Sequence, residues 1–420
     1  MSRPARRHAR AARIAIRGAI ACALLAGAVG AAEFVMHERQ QAPRAAGSHL
    51  PPLPRPLGHQ HSSVPGPQAA RPFVLPSTPV PHLRVPPSPG PSPTALPGPA
   101  RPADVSAGVA APSKHGTAPA LGATYVRPGT PLAAVHPRPG GTYAFKRGAT
   151  YTGTLRIAAS NVTVTAYGTG KDPVFSRRTE GSDIAVSGDT VRISHVRLTG
   201  RGYHTVPGCG SARSAGYEIG VDITGKNVTV DSVRAYGNLY AGVFVESGGS
   251  HATISHSVFN GVNSLNPANF GSGAFGVLLW GDHNTVARNV FANQNTCSPS
   301  FGRDGSGVEV YYGSHNMVKY NTGWNDVDFS ELGGRGATGN VYLSNRFSAP
   351  GEFLVTRGGG DHADGPVHST VLIGNVAHGA VVSYAWQRGD GALLIMKNNH
   401  ISRLSQDGGF VNEGGLRIGF

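Results

Sequence analysis

Two carboxylates, Glu309 and Asp328, fall at matching places in consecutive copies of a short strand pattern, and so do two aromatic residues, Trp280 and Tyr311. If those strands lie in parallel register, Glu309 and Asp328 stack about 4.8 Å apart between backbones. Like charges at about 5 Å repel by about 3 kcal/mol at an effective dielectric of about 20, and a cation between them removes that repulsion. Carboxylate oxygens suit Ca²⁺, so Glu309 and Asp328 are the expected metal ligands. The opposing reading has the side chains splaying into water or pairing with Arg303 or Arg335. Trp280 beside Tyr311 offers a flat amphipathic surface of the kind that stacks on a sugar ring. Glu246 stands one copy earlier in the same column, which makes Glu246, Trp280 and Tyr311 the expected substrate-binding set. The opposing reading is a structural aromatic stack under a loop. Lys319 and Arg357 are the nearest basic side chains, and one of them would act as base where a proton is removed.

The pattern that positions these residues is a repeat. Four strands open with Gly-Val and then alternate: Gly220-Val-Asp-Ile-Thr, Gly242-Val-Phe-Val-Glu, Gly276-Val-Leu-Leu-Trp and Gly307-Val-Glu-Val-Tyr. A polar turn and a second apolar strand follow each. From the third copy that strand runs into an asparagine, as in Val286-Ala-Arg-Asn289 and Val318-Lys-Tyr-Asn321, then more weakly at Asn345 and Asn375. These asparagines are 24 to 32 residues apart. A unit of that length with two or three short strands cannot bury its own apolar face and must stack on copies of itself. The predicted fold is therefore all-β, a single right-handed parallel β-helix of about ten coils spanning 121–420.

Alternation points Val221, Ile223, Val243, Val245, Val277, Leu279, Val308 and Val310 inward. It leaves two outer columns, Asp222, Phe244, Leu278, Glu309, Asp328, Leu354 and Thr224, Glu246, Trp280, Tyr311, Ser330, Thr356. Asp328 enters because Val327-Asp-Phe-Ser is read as a further copy. Insertions at 203–219, 261–275 and 293–306 precede Gly-Val strands and are expected to wall that outer face. The asparagines read as structural, their amides satisfying a buried bend from coil to coil. His251, His283 and His315 recur in the polar turn and read as a repeated turn residue in preference to a metal box.

Composition places the domain outside the cell. The net charge is +14 and the pI about 10.0, but residues 1–120 carry 13 Lys and Arg against 3 Asp and Glu, and the rest 24 against 20. The predicted β-helix has no basic stripe, so nucleic acid is excluded as a partner. Arg3, Arg6, Arg7, Arg10, Arg13 and Arg17 precede an uncharged run of 15 residues, 18–32, which makes 1–36 a signal peptide or an uncleaved signal anchor. Nineteen of 32 prolines lie between Pro43 and Pro102, so 37–120 is a disordered Pro-rich spacer. Besides Cys22 the chain has only Cys209 and Cys297; in an oxidising compartment these are expected to form a disulfide, two free thiols being the other reading. A monomer is expected, secreted or attached to the outer face of the membrane, touching the membrane only through an uncleaved N-terminal segment.

The opening Thr142-Tyr-Ala-Phe-Lys-Arg-Gly-Ala-Thr-Tyr-Thr-Gly-Thr-Leu, the Gly-Val strands and the Asn bends resemble right-handed parallel β-helix proteins of the pectate-lyase-like superfamily, over residues 125–420. The resemblance implies three sheets per coil, with sugar chains bound along the outer face of the first. It also implies cleavage or epimerisation of acidic polysaccharides. Several such proteins act by β-elimination, with Ca²⁺ holding the uronate carboxylate and a Lys or Arg as base. The Asp-Pro-His-Asp of alginate epimerases is not in this sequence, nor are the paired Asp and Gly-His-Gly of polygalacturonases. The expectation is a polysaccharide-active protein, a lyase on an acidic glycan with Lys319 or Arg357 as base and Ca²⁺ as cofactor. The alternative is a non-catalytic module that binds a glycan or the cell wall.

Overall fold

A computed structural model describes residues 122–420 apart from 178, 201–217, 238–239, 262–273, 299–301, 349–350, 361–363 and 406–407. The predicted segments 1–36 and 37–120 lie outside the described residues. The described strands form a 12-stranded sheet, a 19-stranded sheet and a two-stranded one. Every ladder between coils is parallel; the antiparallel pair is the small hairpin of Thr296–Ser298 with Gly302–Asp304, inside the third predicted insertion.

The 19-stranded sheet carries two walls of the coil. Its long strands, among them Glu218–Ile223, Ala241–Val245, Phe275–Leu279, Ser306–Tyr311, Asp328–Gly333 and Glu352–Arg357, make the first wall. Its short strands, such as Val258–Asn260, Val290–Ala292 and Thr322–Trp324, make the third. The 12-stranded sheet, which includes Thr285–Ala287 and Met317–Lys319, is the second wall between them. First and third walls merge because Val376–Tyr384 runs on from one into the other, with a register shift between Ala377 and Ala380. The chain is a right-handed parallel β-helix, the hand that crossovers between parallel strands take almost without exception.

Why the first-wall strands open with glycine follows from the third wall. Val221, Val243, Val277 and Val308 stand in one register column and are fully buried. The residue before each also faces inward, where a third-wall side chain fills the space, Leu198 at Gly220 and a phenylalanine ring at the other three. A Cβ at Gly242 would lie 2.5 Å from Phe259 Cδ1, and one at Gly276 would lie 2.5 Å from Phe291 Cδ1. Phe259 and Phe291 themselves stack, with centroids 5.2 Å apart. One coil further on, the two walls exchange sizes. Gly323 takes the register place of Phe291, and the buried Phe329 takes the inward place of the glycines.

That exchange moves the alignment predicted for the next coil. Glu309 pairs in register with Glu331, Val308 with Ser330 and Val310 with Leu332, while Asp328 lies between Ser306 and Glu352. The predicted stacking of Glu309 on Asp328 is therefore replaced by Glu309 on Glu331. Ser330, Leu354 and Thr356, expected outside, are wholly buried in columns that continue Val308 and Val310.

The asparagines do what the bends required. Asn321 Oδ1 accepts from the Asn289 backbone N–H (2.9 Å) and from Asn289 Nδ2 (3.1 Å), while Asn321 Nδ2 donates to the Val286 carbonyl (2.9 Å). The same relation repeats through Asn345, Asn375 and Asn399. A second ladder, Asn284 to Asn316 to Asn340, runs along the turn ahead of the second wall. His251, His283 and His315 all take positive φ in that turn, and their exposed rings stack 5.1 Å apart. A left-handed turn column accounts for their repetition.

Candidate functional site

The outer face of the first wall divides into covered and open parts. Ile219, Ala241, Phe244, Phe275 and Leu278 form a second, smaller apolar cluster, with Tyr240 and Trp280 packed against it. Leu278 is 1% exposed, so this part of the face takes no ligand. The residues that follow the last core position of each strand stay accessible: Thr224 is exposed, and Glu246, Trp280 and Tyr311 are half-buried. Because Val245, Leu279 and Val310 are in register, Glu246, Trp280 and Tyr311 occupy successive steps of one open column, as the alternation predicted. Trp280 packs at right angles to Phe244 (5.0 Å, 85°) and stays half-buried. Tyr311 leans over Gly333, whose Cβ would lie 2.7 Å from Tyr311 Cε2, and packs edge-on against Tyr312 (4.8 Å). The two rings thus share a column, each held by a different neighbour.

Glu246 has a partner that the sequence reading did not single out. Its carboxyl is hydrogen-bonded to that of Asp222 on the preceding coil, and Ser182 Oγ donates to Asp222 Oδ2 (3.2 Å). Burial raises the pKa of both groups; for Glu246 the charge and hydrogen bond of Asp222 add to it, and the value is pushed up to about 7. Two carboxyls this close hold one proton between them near neutrality. The signal was present in the sequence, since Asp222 and Glu246 are diagonal neighbours on one face of adjacent parallel strands.

At the far end of the column the face is acidic and closed. Asp328, Glu331 and Glu352 are buried, and Arg357 Nη2 donates to Glu331 Oε1 (2.5 Å) with both side chains almost wholly out of water. The Arg357 guanidinium also lies 5.5 Å from the Tyr384 ring centroid. The structure thus brings Arg357 to the acidic stretch, as expected, but as one half of a buried ion pair. Just behind, Asp326 Oδ1 accepts from the Gln294 N–H (2.8 Å), and burial with Asp328 nearby pushes the Asp326 pKa well up. Lys319 is not brought there. It lies on the second wall, in register with Ala287 and Leu343.

The placements also bear on the pair expected to hold Ca²⁺. Glu309 and Asp328 stand in different columns, and Glu331, which takes the place expected of Asp328, spends an oxygen on Arg357. Among the described residues no group of three or more His, Cys, Asp or Glu is arranged to hold a metal ion. The two residues expected as its ligands are therefore not stacked on one another. Cys209 and the side chain of Cys297 lie outside what is described, and their expected pairing with them.

The chain is similar in fold to several solved proteins. One is an alginate lyase from Paenibacillus sp. str. FPU-7, at 15% identity over 68% of this chain and 94% of that one, TM-score 0.44. Another is pectate lyase Pel9A, at 17% identity over 68% and 70%, TM-score 0.45. A third is PfbA, a surface adhesin of Streptococcus pneumoniae, at 10% identity over 66% and 75%, TM-score 0.48. No protein-family model and no curated protein matches the sequence. At these identities the likeness is one of fold, and the fold rests on the ladders described above.

Proposed function

We propose that this chain is an exported, polysaccharide-active β-helix protein whose saccharide surface is the open column Glu246, Trp280, Tyr311. The observation that carries the reading is the half-buried Trp280 ring, packed against Phe244 and flanked along the column by a carboxyl and a phenol. A sugar needs an apolar platform for its C–H face and hydrogen-bonding groups at the ring edge, and the column supplies both. The arginine-led apolar run at 1–36 supports export.

Within that reading, β-elimination on an acidic glycan is the weaker chemistry. It needs a base beside the bound uronate; Lys319 is on another wall, and Arg357 is buried in its pair with Glu331. A non-catalytic binding module needs only the column. Affinity electrophoresis and calorimetry against a panel of neutral and uronate polysaccharides test the common claim. Retarded migration in at least one glycan, weakened about tenfold or more by Trp280→Ala with the fold retained, is the expected result. Failure to bind any polysaccharide, or unchanged affinity in the Trp280→Ala chain, would remove this column as the saccharide surface.

A further inference from the structure

We propose that the outer face of the second wall, over its last five coils, is where two copies of this chain pack against each other as a weak two-fold dimer. The face is separate from the saccharide column, which lies on the first wall, and the inference does not rest on that reading. It departs from the monomer expected from the sequence.

The observation is a change of composition at fixed positions. One outward column of the second wall reads Thr163, Arg192, Thr229, Thr253 and Thr285 along the stack, and the column two residues on includes Ser194, Asp231 and Ser255. From the next coil the first column becomes Met317, Val341, Val371, Ile395 and Val411. The second becomes Lys319, Leu343, Ile373 and Lys397, and Glu413 continues it, its N–H donating to the Met396 carbonyl (2.9 Å). Strand propensity does not account for the change, since threonine and valine are both β-branched and serve a strand alike. What changes is the hydroxyl. The earlier half of the face suits water, while the later half presents seven apolar side chains, six half-buried and Val411 44% exposed. A contiguous apolar patch rimmed by charge marks a surface that meets another.

The charges at its two ends select a second copy as the occupant. Lys319 closes the second column at the first of these coils, and Glu413 closes it at the last. A two-fold axis parallel to the strands, through the middle strand Thr370–Ile373, reverses the order of coils and keeps each column facing itself. It sets Lys319 against Glu413 of the partner subunit at both ends of the patch. Met317 then meets Val411, Val341 meets Ile395, and Val371 meets its own counterpart. Lys397 faces Leu343, its stem lying over that side chain and its ammonium at the edge. The other face-to-face arrangement, with the axis along the stack, would set Lys319 on Met317 and Glu413 on Val411. Every charge would then be buried against an apolar side chain, at a cost that no pairing offsets.

Aligned sheets pack face to face about 10 Å apart with their strands within about 30°, which this axis satisfies. The patch measures about 24 Å along five strands and about 13 Å across two outward residues. Its projected area of about 300 Å² is below the roughly 800 Å² per partner of a standard interface, so the dimer is weak.

Sedimentation velocity of the full chain from about 1 µM to about 1 mM tests this, with an expected dissociation constant of about 10–100 µM. Val371→Lys places two ammonium groups opposite each other at the two-fold and should raise that constant by about tenfold or more. Lys319→Glu and Glu413→Lys should each weaken the dimer by about threefold to tenfold. Both changes in one chain should restore it to within about twofold of the wild type. Melting curves at about 1 µM, where the chain is monomeric, should be unchanged by Val371→Lys, because that side chain lies on an outer face. A chain that stays monomeric at about 1 mM overturns the inference. So does a dimer indifferent to Val371→Lys, or a doubly reversed chain that fails to regain what each reversal lost. A monomer whose melting temperature falls on Val371→Lys would place another segment of the same chain on the face. A monomer that floats with phosphatidylglycerol vesicles only while Val371 is intact would place a membrane there. Either result overturns the second copy.

Discussion

The ring of Phe329 fills space that Gly323 leaves on the facing wall: a Cβ on Gly323 would lie 2.7 Å from Phe329 Cδ2 and 3.1 Å from Phe347 Cδ2. Gly323→Ala is expected to cost about 1–3 kcal/mol through overpacking. Phe329→Gly removes a fully buried ring that also stacks on Phe353 (5.2 Å) and should cost about 3–5 kcal/mol. Gly323→Phe combined with Phe329→Gly restores the arrangement of the earlier coils. The double variant should therefore be more stable than the two single changes predict, by about 1 kcal/mol or more in urea titrations. Additive effects would show that the positions do not share one volume.

The same exchange marks the limit of what the sequence reveals. Gly-Val openings and Asn bends locate four coils because their residues repeat at the same inward positions. At Phe329 the repeated glycine is gone and the compensating Gly323 is on another wall. Hydrophobic alternation then aligns Val327 with Val308, although the ladder pairs Val308 with Ser330. A polar residue, Ser330, in a core column has no pattern to announce it; its hydroxyl is satisfied by Tyr342 Oη at 2.8 Å, a contact between walls. The match of Glu331-Leu332 to Glu309-Val310 was the legible clue. For the site, Glu246, Trp280 and Tyr311 came from alternation within aligned coils, whereas the Arg357–Glu331 pair depended on the coil whose alignment was shifted.

The asparagine ladder should be energetically uneven. Asn321→Ala leaves the Asn289 N–H and the Val286 carbonyl without their buried partners. At about 1–3 kcal/mol for each orphaned group, the loss should be about 2–6 kcal/mol. Asn325→Ala breaks an exposed amide ladder to Asn293 (2.6 Å) and should stay within about 0.5 kcal/mol. Thermal unfolding of the two variants compares them directly, and similar losses would mean that the buried ladder contributes nothing special.

Arg357→Met should destabilise by about 3–5 kcal/mol, because it strands the Glu331 carboxylate in a buried site. Adding Glu331→Leu removes the stranded charge and should recover most of that loss. Chemical denaturation of the single and double variants reads the coupling. No recovery would place the worth of Arg357 in its packing on Tyr384 and not in the ion pair.

The Asp222–Glu246 pair should make stability fall across neutral pH. Folding raises the Glu246 pKa from 4.5 to about 7, so the native state binds more protons than the unfolded chain between those values. The contribution is fully present below pH 4.5 and disappears as pH rises through about 7. Asp222, also raised, acts in the same direction. Glu246→Gln keeps a hydrogen bond to Asp222 and cannot ionise. The variant should gain on the wild type as pH rises from 5 to 8, by about 1 kcal/mol once screening of this partly exposed group is allowed for. Melting curves at several pH values measure the difference between the two chains, which cancels the titration of every group outside the Asp222–Glu246 pair. A difference independent of pH would mean that Glu246 titrates alike in the folded and unfolded chain and shares no proton with Asp222.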